Sequence, residues 1–573
     1  MDEVNVCKVN NQVSRRQIIV IILYLLLLSL YLLFVARLNF DNHHDGTIFK
    51  ACSAIVHGKS LFKDVHTQYG PLFTYIQAGF LWMFGDSLIA MKMSGCVFVV
   101  GCHLLFLLIF LRFLSFAEVM LGELLLTVLA SYNYYVLLPW STVFSMFFLL
   151  LCVLFVLLSL ERQNNNYCFL TGISCACSFF CKQSLGALLF LGIIFSFILL
   201  MIKKKTGSKL SMTKFLGGVS IVVIIFVLVF VSQGSLSDWF RQSIIEALDF
   251  WNRNSTLSAR WNNMSGDSFT TKIISSVSRS SLLNNGVINR IVKAICCLFP
   301  VNDFSYSSLV PFICLCFFLW SFFKDSSEVS TQRVFLGIIA LVAWGGCYVP
   351  VSTIGNRWYA FYFLIGYFLL AAHVYLKHLA KSTIVYTILL SLVIMILFIN
   401  PVYNNFFAKK DYVNNNMVLR EATTARCVGM LNKCKNYNKK WDKEELSQLR
   451  GMSMSAEQYV FYNAFSNAIN DIKDRYPDSA IYNFNALYVL SIVQDSSLDY
   501  PLYIDDYDDV EEYLKREKPI VITYENEPRA KLLENIKGYE IVDSLRLEYP
   551  PILYLGEGNG KSIFFWHYDD KSY

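Results

Sequence analysis

The residues best suited to chemistry lie in one polar stretch, Asn39–Leu72, which reads NFDNHHDGTIFKACSAIVHGKSLFKDVHTQYGPL. At its beginning two carboxylates, Asp41 and Asp45, flank the histidines His43 and His44. A carboxylate in a cleft beside a membrane can serve as a general base, because partial burial raises its affinity for a proton. Asp45 is therefore the first candidate for a catalytic base and Asp41 the second.

Other interpretations of these residues stay open. Asp45 precedes a helix-like segment, 46–57, so its side chain could instead be the N-cap of that helix. The two histidines and two aspartates could also ligate a divalent metal, but adjacent histidines point apart in most backbones. We therefore assign no metal or other cofactor. Asp64 suits a structural turn and is kept as a candidate donor contact.

Apolar runs dominate the first 400 residues and must position this stretch. Of all residues, 55% are hydrophobic and 16% are charged, whereas soluble proteins carry about 25% charged residues. Runs of about 18–25 apolar residues can cross a bilayer as helices, and they lack the alternation of a β-barrel. The sequence therefore predicts an α-helical polytopic membrane protein with about eleven transmembrane helices. The expected spans are about 17–37, 87–111, 117–137, 140–160, 167–181, 184–202, 215–232, 306–323, 334–351, 358–376 and 383–400.

The basic residues that flank these spans predict the orientation of the chain. They alternate with the spans so that all fall on one side, and Lys and Arg favour the cytoplasmic side. They are Lys8, Arg15, Arg16, Arg112, Arg162, Lys203, Lys204, Lys205, Lys209, Lys214, Lys324, Arg333, Lys377 and Lys381. We expect a multi-pass protein of the inner (cytoplasmic) membrane with a cytoplasmic N-terminus. The long loops 38–86 and 233–305 are then extracytoplasmic.

The composition changes abruptly near residue 400. Residues 1–400 are expected to form the transmembrane domain with its two long loops, and 401–573 an extracytoplasmic soluble α/β domain. Within this tail, Pro519–Tyr524 and Ile552–Leu555 are typical of strands, and Asp509–Glu517 is typical of a helix.

The first long loop resembles that of the GT-C superfamily of membrane glycosyltransferases. The resemblance consists of Asp45 soon after the first span, a helix ending in Gly58, an aromatic-x-Asp step at Phe62–Asp64, and the turn Gln68–Leu72. It covers about residues 15–400 and is greatest to the bacterial protein-mannosyltransferase and aminoarabinose-transferase group. Some members of that group carry Glu-Lys-Pro-Pro-Leu at the turn, so the lysine that can meet a donor phosphate there is absent here.

The resemblance implies a donor in which a sugar is carried on a polyprenyl phosphate, and a lipid or glycan acceptor in the cell envelope. A carboxylate of the first loop would take the acceptor proton while the acceptor attacks the anomeric carbon with inversion. The leaving phosphate needs positive partners, and the resemblance points to Lys182 and Arg357. For Lys182 the alternative is a side chain that reaches to the membrane interface. Further candidate contacts to the donor are His44, Asp64, Gln68 and Tyr69.

Two other functions remain alternatives. A flippase or transporter for a lipid-linked glycan would be expected to show repeats and polar residues at mid-membrane depth, and neither is evident in the sequence. A polysaccharide polymerase or ligase would centre its chemistry on a late, large loop. No clustered basic face suggests a nucleic-acid partner.

Overall fold

The computed structural model describes most of the membrane part of the chain and much of the tail. The described residues are 13–38, 44–67, 69–129, 140–202, 210–246, 306–324, 328–348, 359–379, 382–406, 434–435, 438–443, 446–483, 511, 514–524, 530–546 and 562–568.

Long apolar helices form the body of the protein. Each of the eleven predicted spans corresponds to a helix in the described part of the chain, which confirms the polytopic helical class. These helices are α1 (Arg15–Ala36), α4 (Leu88–Phe110), α5 (Phe116–Leu129), α6 (Ser141–Arg162), α7 (Asn166–Cys181), α8 (Gln183–Ile202), α9 (Met212–Gln233), α11 (Tyr306–Lys324), α12 (Glu328–Tyr348), α13 (Phe361–Leu379) and α14 (Thr383–Phe406). Among the described residues, α1, α4, α6 and α9 are long and apolar enough over their full length to cross a membrane, and most of the others contain shorter apolar segments.

Small residues let neighbouring helices in this bundle approach closely. At Gly172 in α7, an added Cβ would lie 2.0 Å from the carbonyl oxygen of Phe215 in α9. At Gly218 in α9, an added Cβ would lie 2.1 Å from the carbonyl oxygen of Phe169. Glycines at such crossings are a common way to pack helices in membranes, and here they fix α9 against α7.

Two helices outside the spans make up most of the first long loop. They are α2 (His44–Val56) and α3 (Pro71–Phe84). As predicted, α2 is closed by Gly58, which has a φ of +85° that glycine adopts readily. At the end of α3, Trp82 is 77% exposed and Met83 and Phe84 are also exposed. Exposed aromatic and apolar side chains at this position suit a helix that lies in the membrane interface.

The tail contains a small sheet between helices. Strands β3 (Ile481–Asn483), β4 (Ile520–Tyr524), β5 (Tyr539–Arg546) and β6 (Ser562–Tyr568) form a sheet in the order β3-β4-β6-β5. Strands β3 and β4 are parallel, and β6 is antiparallel to both of its neighbours.

Helices cover both faces of this sheet. On one face α15 (Ala456–Arg475) packs through Phe465, whose ring stacks on Phe565. On the other face Leu533 of α16 (Ala530–Asn535) packs with Val521 and Trp566. This arrangement confirms the α/β class of the tail and the predicted strand at 519–524. Residues 514–517 of the predicted helix are helical, and the strand predicted at 552–555 lies outside the described residues.

The tail also contacts the membrane part directly. A two-residue ladder joins β1 (Lys439–Lys440) to β2 (Ser453–Met454). The backbone N–H of Ser453 donates to the carbonyl of Arg37 at 2.7 Å, just beyond the end of α1. Gly451 lies against Ile89 at the beginning of α4. The tail therefore sits at the same end of the bundle as the first long loop.

Candidate functional site

The first candidate base is held in a buried ion pair. The Asp45 carboxylate is 0% exposed, and its Oδ2 lies 3.0 Å from the Nζ of Lys92, which is 2% exposed. Removing a lone charge from water costs several kcal/mol, and an opposite charge at contact distance offsets much of that penalty. The pair therefore fixes the carboxylate of α2 against α4. Asp45 is the second residue of α2, so its interpretation as the N-cap is wrong.

Sequence reasoning missed Lys92, although a signal was present. It is the only Lys, Arg, Asp or Glu within Leu88–Phe110. An ionisable residue in an apolar span is a functional candidate by default, and it needs a partner. The sequence did not indicate which carboxylate would pair with Lys92.

The turn before α3 is seated on the end of α7. An added Cβ at Gly70 would lie 2.2 Å from the carbonyl oxygen of Phe180 and 2.4 Å from that of Cys181. No other residue type fits so close to two backbone oxygens without a shift of the chain. Gly70 therefore allows the turn to rest directly beside Lys182.

Lys182 and Tyr69, two predicted donor contacts, meet the same end of α6. The Nζ of Lys182 donates to the Thr142 hydroxyl at 2.6 Å. The ring of Tyr69 makes an edge contact with Trp140, with 6.0 Å between the ring centroids. Trp140 precedes α6 and Thr142 is its second residue. The structure thus brings a cation, a phenol and an indole to the beginning of α6.

Asp64 is part of a tight turn. Its Oδ2 accepts the backbone N–H of Ser60 at 2.7 Å, and its own N–H donates to the carbonyl of Ser60 at 2.9 Å. Phe62, inside this turn, has a φ of +70°. The geometry fits the structural interpretation of Asp64, and its role as a donor contact stays a prediction.

Helix α3 connects the base to the Lys182 region. Its first turn rests on α7, while Thr74 and Gln77 face α2. The Cys52 thiol on α2 lies 3.4 Å from the Gln77 Oε1 and 3.7 Å from the Thr74 carbonyl oxygen. Burial raises the pKa of the Cys52 thiol, so it stays protonated and donates a hydrogen bond to the side chain of α3. A displacement of α3 would therefore disturb both parts of the site.

The beginning of the second long loop also reaches the first loop. Here α10 (Leu236–Phe240) continues into one turn of π-helix, Arg241–Ile245. The imidazole of His66 lies 3.0 Å from the Glu246 carboxylate, and this hydrogen bond lowers the pKa of Glu246. The sequence placed Glu246 in this loop but did not indicate its partner.

Several candidates from the sequence cannot be located. Asp41, His43, Gln68 and Arg357 lie outside the described residues, as does the side chain of His44. Their proposed roles stay predictions. Within the part of the chain that the structure describes, no three His, Cys, Asp or Glu side chains are placed to hold a metal ion.

A buried polar cluster within the bundle was not expected from the sequence. The Glu123 Oε2 lies 2.5 Å from the His103 Nδ1 and accepts the Tyr24 hydroxyl at 2.8 Å. The hydroxyls of Tyr24 and Thr127 are 2.8 Å apart. The cluster joins α1, α4 and α5, and polar contacts of this kind hold helices together in membranes.

Comparison with known proteins shows a shared fold without a shared sequence. No protein-family model matches the chain, and none of the curated proteins matches it significantly. The structure resembles that of ArnT from Cupriavidus metallidurans bound to undecaprenyl phosphate, with a TM-score of 0.53 and 10% identity over 95% of this chain and 97% of that one. The apo form of ArnT gives a TM-score of 0.50 at 11% identity, with the same coverage of both chains. Oligosaccharyltransferase AglB from Archaeoglobus fulgidus, in complex with an inhibitory peptide and a dolichol-phosphate, gives 0.48 at 10% identity over 89% of this chain and 69% of that one.

The chain is therefore a multi-pass membrane protein with a GT-C-like fold. It shares this fold with ArnT along nearly its whole length, including the tail.

Proposed function

We propose that the protein is a glycosyltransferase that transfers a sugar from a polyprenyl-phosphate donor to an acceptor in the membrane or cell envelope. The observation that carries this proposal is the position of Asp45. It is a buried carboxylate on the first helix outside the first span, in a fold shared with ArnT, which has been solved with undecaprenyl phosphate bound.

In the proposed reaction the acceptor hydroxyl or amine attacks the anomeric carbon of the donor sugar. The bond from that carbon to the phosphate oxygen breaks, and the anomeric centre is inverted. Asp45 accepts the proton that the acceptor loses. The ammonium of Lys92 favours the ionised form of Asp45, which is the form that can accept a proton, and it also makes that carboxylate a weaker base.

The phosphate that leaves with the lipid carries the developing negative charge. Lys182 is the candidate to receive it, because among the described residues its ammonium donates to the neutral Thr142 hydroxyl, and an ammonium can donate three hydrogen bonds. Arg357 is proposed as a second partner, by bidentate contact. Tyr69 lies beside the same end of α6 and would line the donor site.

The reaction is proposed to take place at the outer face of the cytoplasmic membrane. The distribution of Lys and Arg supports this orientation. The tail touches the same end of the bundle as the first loop through Ser453 and Arg37. It is proposed to be an extracytoplasmic domain beside the site.

The test is transfer of label by purified protein in liposomes, supplied with a radiolabelled undecaprenyl-phosphate sugar and a membrane extract as acceptor. Asp45→Asn should lower the rate at least about 100-fold, since general-base catalysis contributes about that much. Asp238→Asn, an external carboxylate paired with Arg241, should keep the wild-type rate.

Loss of activity must be separated from loss of the fold. Asp45→Asn leaves Lys92 buried without its carboxylate, so the double variant Asp45→Asn with Lys92→Met is the better-folded inactive protein. Wild-type rates in either Asp45 variant would remove Asp45 as the base. Movement of the labelled lipid across the vesicle without transfer would favour a flippase.

A further inference from the structure

The turn at residues 62–67 of the first loop is held by one amide side chain from the second loop. Gln242 lies on the π-helical turn after α10 and is 3% exposed. Its Nε2 donates to the carbonyl of Phe62 at 2.8 Å. Its Oε1 accepts the backbone N–H of Thr67 at 3.2 Å. A single side chain thus satisfies two backbone groups on opposite sides of the turn.

Apolar packing surrounds these two hydrogen bonds. Phe62 is buried, and its ring meets that of Phe230 edge-on at 5.6 Å between centroids. Trp239 stacks on the other side of Phe230 at 5.3 Å. We call Phe62, Thr67, Trp239 and Gln242 the loop clamp. Because these groups are buried, a lost hydrogen bond leaves a backbone group unsatisfied. Each bond therefore contributes more stability than it would at the surface.

The local backbone around Gln242 is itself unusual. A π-helical turn inserts one residue into a helix, and such turns are frequent at functional sites. Here the turn lies at Arg241–Ile245 and carries Gln242 towards the first loop. Helix α9 ends at Gln233, whose side chain accepts the Tyr75 hydroxyl of α3 at 3.1 Å. The second loop therefore contacts the first loop on both sides of the turn before α3.

We propose that Gln242 is a positioning residue for the lipid-phosphate donor, an inference that rests on the proposed function. The clamp ends at Thr67, three residues before Gly70, and Gly70 rests on the carbonyls beside Lys182. The chain between these two fixed points carries Gln68 and Tyr69. Because this segment is fixed at Thr67 and at Gly70, the position of Tyr69 relative to Lys182, and so to the proposed donor, is set.

The loop clamp should affect donor binding and should not affect Asp45, the proposed base. Asp45 is fixed separately by Lys92 on α4. Loss of the clamp should therefore raise the donor KM, while the acceptor KM and the maximal rate change little. A merely structural role would lower stability and would not separate the two KM values.

The experiment compares Gln242→Met with Arg241→Gln in the full-length protein in liposomes. Met has nearly the length of Gln and removes both hydrogen bonds, whereas Arg241 is an exposed neighbour on the same π-helical turn. Three quantities are measured: hydrogen exchange of the peptide that covers residues 60–70, the KM for a labelled undecaprenyl-phosphate sugar, and the KM for the acceptor. Gln242→Met should speed exchange at the Thr67 amide and raise the donor KM about tenfold. Arg241→Gln should match the wild type in all three.

Gln242→Glu provides a second variant. Its carboxylate can still accept from Thr67, but it sets a buried negative charge against the Phe62 carbonyl in place of the donor, so the donor KM should rise at least as much as in Gln242→Met. Should Gln242→Met fail to fold, this variant alone decides, by its donor KM against that of Arg241→Gln.

The failure of each proposal has a different signature. A wild-type protein that transfers no sugar overturns the proposed function, and the donor role of Gln242 with it. An active wild type with equal donor KM values in the Gln242 variants and Arg241→Gln overturns the clamp alone. Faster exchange without a change in donor KM also overturns it, because the clamp would then only stabilise the fold.

Discussion

Two parts of the first long loop are fixed by opposite kinds of chemistry. At the beginning of α2, two full charges meet in a fully buried pair, Asp45 and Lys92. At the turn before α3, neutral groups do the same task through Gln242 and the packing of Phe62. Removing either member of a buried charge pair costs much stability. Removing one neutral hydrogen bond costs less, so the neutral contacts can be weakened one at a time. The comparison suggests that the proposed base is held rigidly and that the proposed donor site is adjustable.

The largest effect should come from breaking the charge pair on one side. Lys92→Met leaves the buried Asp45 carboxylate without the Lys92 ammonium, and removing one partner of a buried ion pair costs about 3–5 kcal/mol of stability. Thermal unfolding in detergent should show a large fall in Tm. The double variant with Asp45→Asn should recover much of the lost stability without recovering transfer. If Lys92→Met alone unfolds like the wild type, the pair does not hold the loop.

A smaller effect should come from filling the space at Gly70. Ala at this position places its Cβ against two backbone oxygens, and such overpacking costs about 1–3 kcal/mol. The donor KM should rise, because the turn must move away from Lys182. Gly79, in the middle of α3, has nothing within 4 Å of an added Cβ. Gly79→Ala should therefore be neutral or slightly stabilising, and equal effects of the two substitutions would contradict the seating of the turn.

The smallest effect should be the pH-dependent stability contributed by the contact between His66 and Glu246, beside the loop clamp. The hydrogen bond from His66 lowers the pKa of Glu246 below its ordinary value of 4.5. A lowered carboxylate pKa in the folded state contributes stability above the unfolded pKa and loses it as the pH falls through the folded pKa. Glu246 is 33% exposed, so the contribution is limited to about 0.5 kcal/mol.

The measurement is the difference in unfolding free energy between wild type and Glu246→Gln as a function of pH. The difference should be constant just above pH 4.5 and shrink below it. A difference that does not shrink below pH 4.5 would show that the His66 contact does not stabilise the ionised carboxylate.

Sequence patterns were sufficient for features set by local chemistry. The apolar runs located the eleven long helices because bilayer thickness sets the length of an apolar run that can cross it. Gly58 marked the end of α2, since it acts through the backbone of its own turn. The change in composition near residue 400 marked the tail, and the strand at 519–524 followed from its β-branched residues.

Contacts between distant parts of the chain escaped that reasoning. Lys92 is the partner of Asp45 because α2 folds back on α4, and nothing near Asp45 in the sequence indicates this. Gln242 lies 175 residues from Thr67, in a loop whose mixed polar composition suits many arrangements. The cluster around Glu123 was overlooked because its four polar residues are spread over three apolar helices.

The hydrogen bond from Ser453 to Arg37 connects the tail to the chain segment that leads to Asp45, the proposed base. Leu38, the next residue, is bridged to Ser453, and seven residues later Asp45 is fixed to α4. The chain between Leu38 and Asp45 can extend over at most about 25 Å. This short tether limits how far the tail can move from the base, so a pull on the tail would be transmitted to the residue proposed to accept the proton.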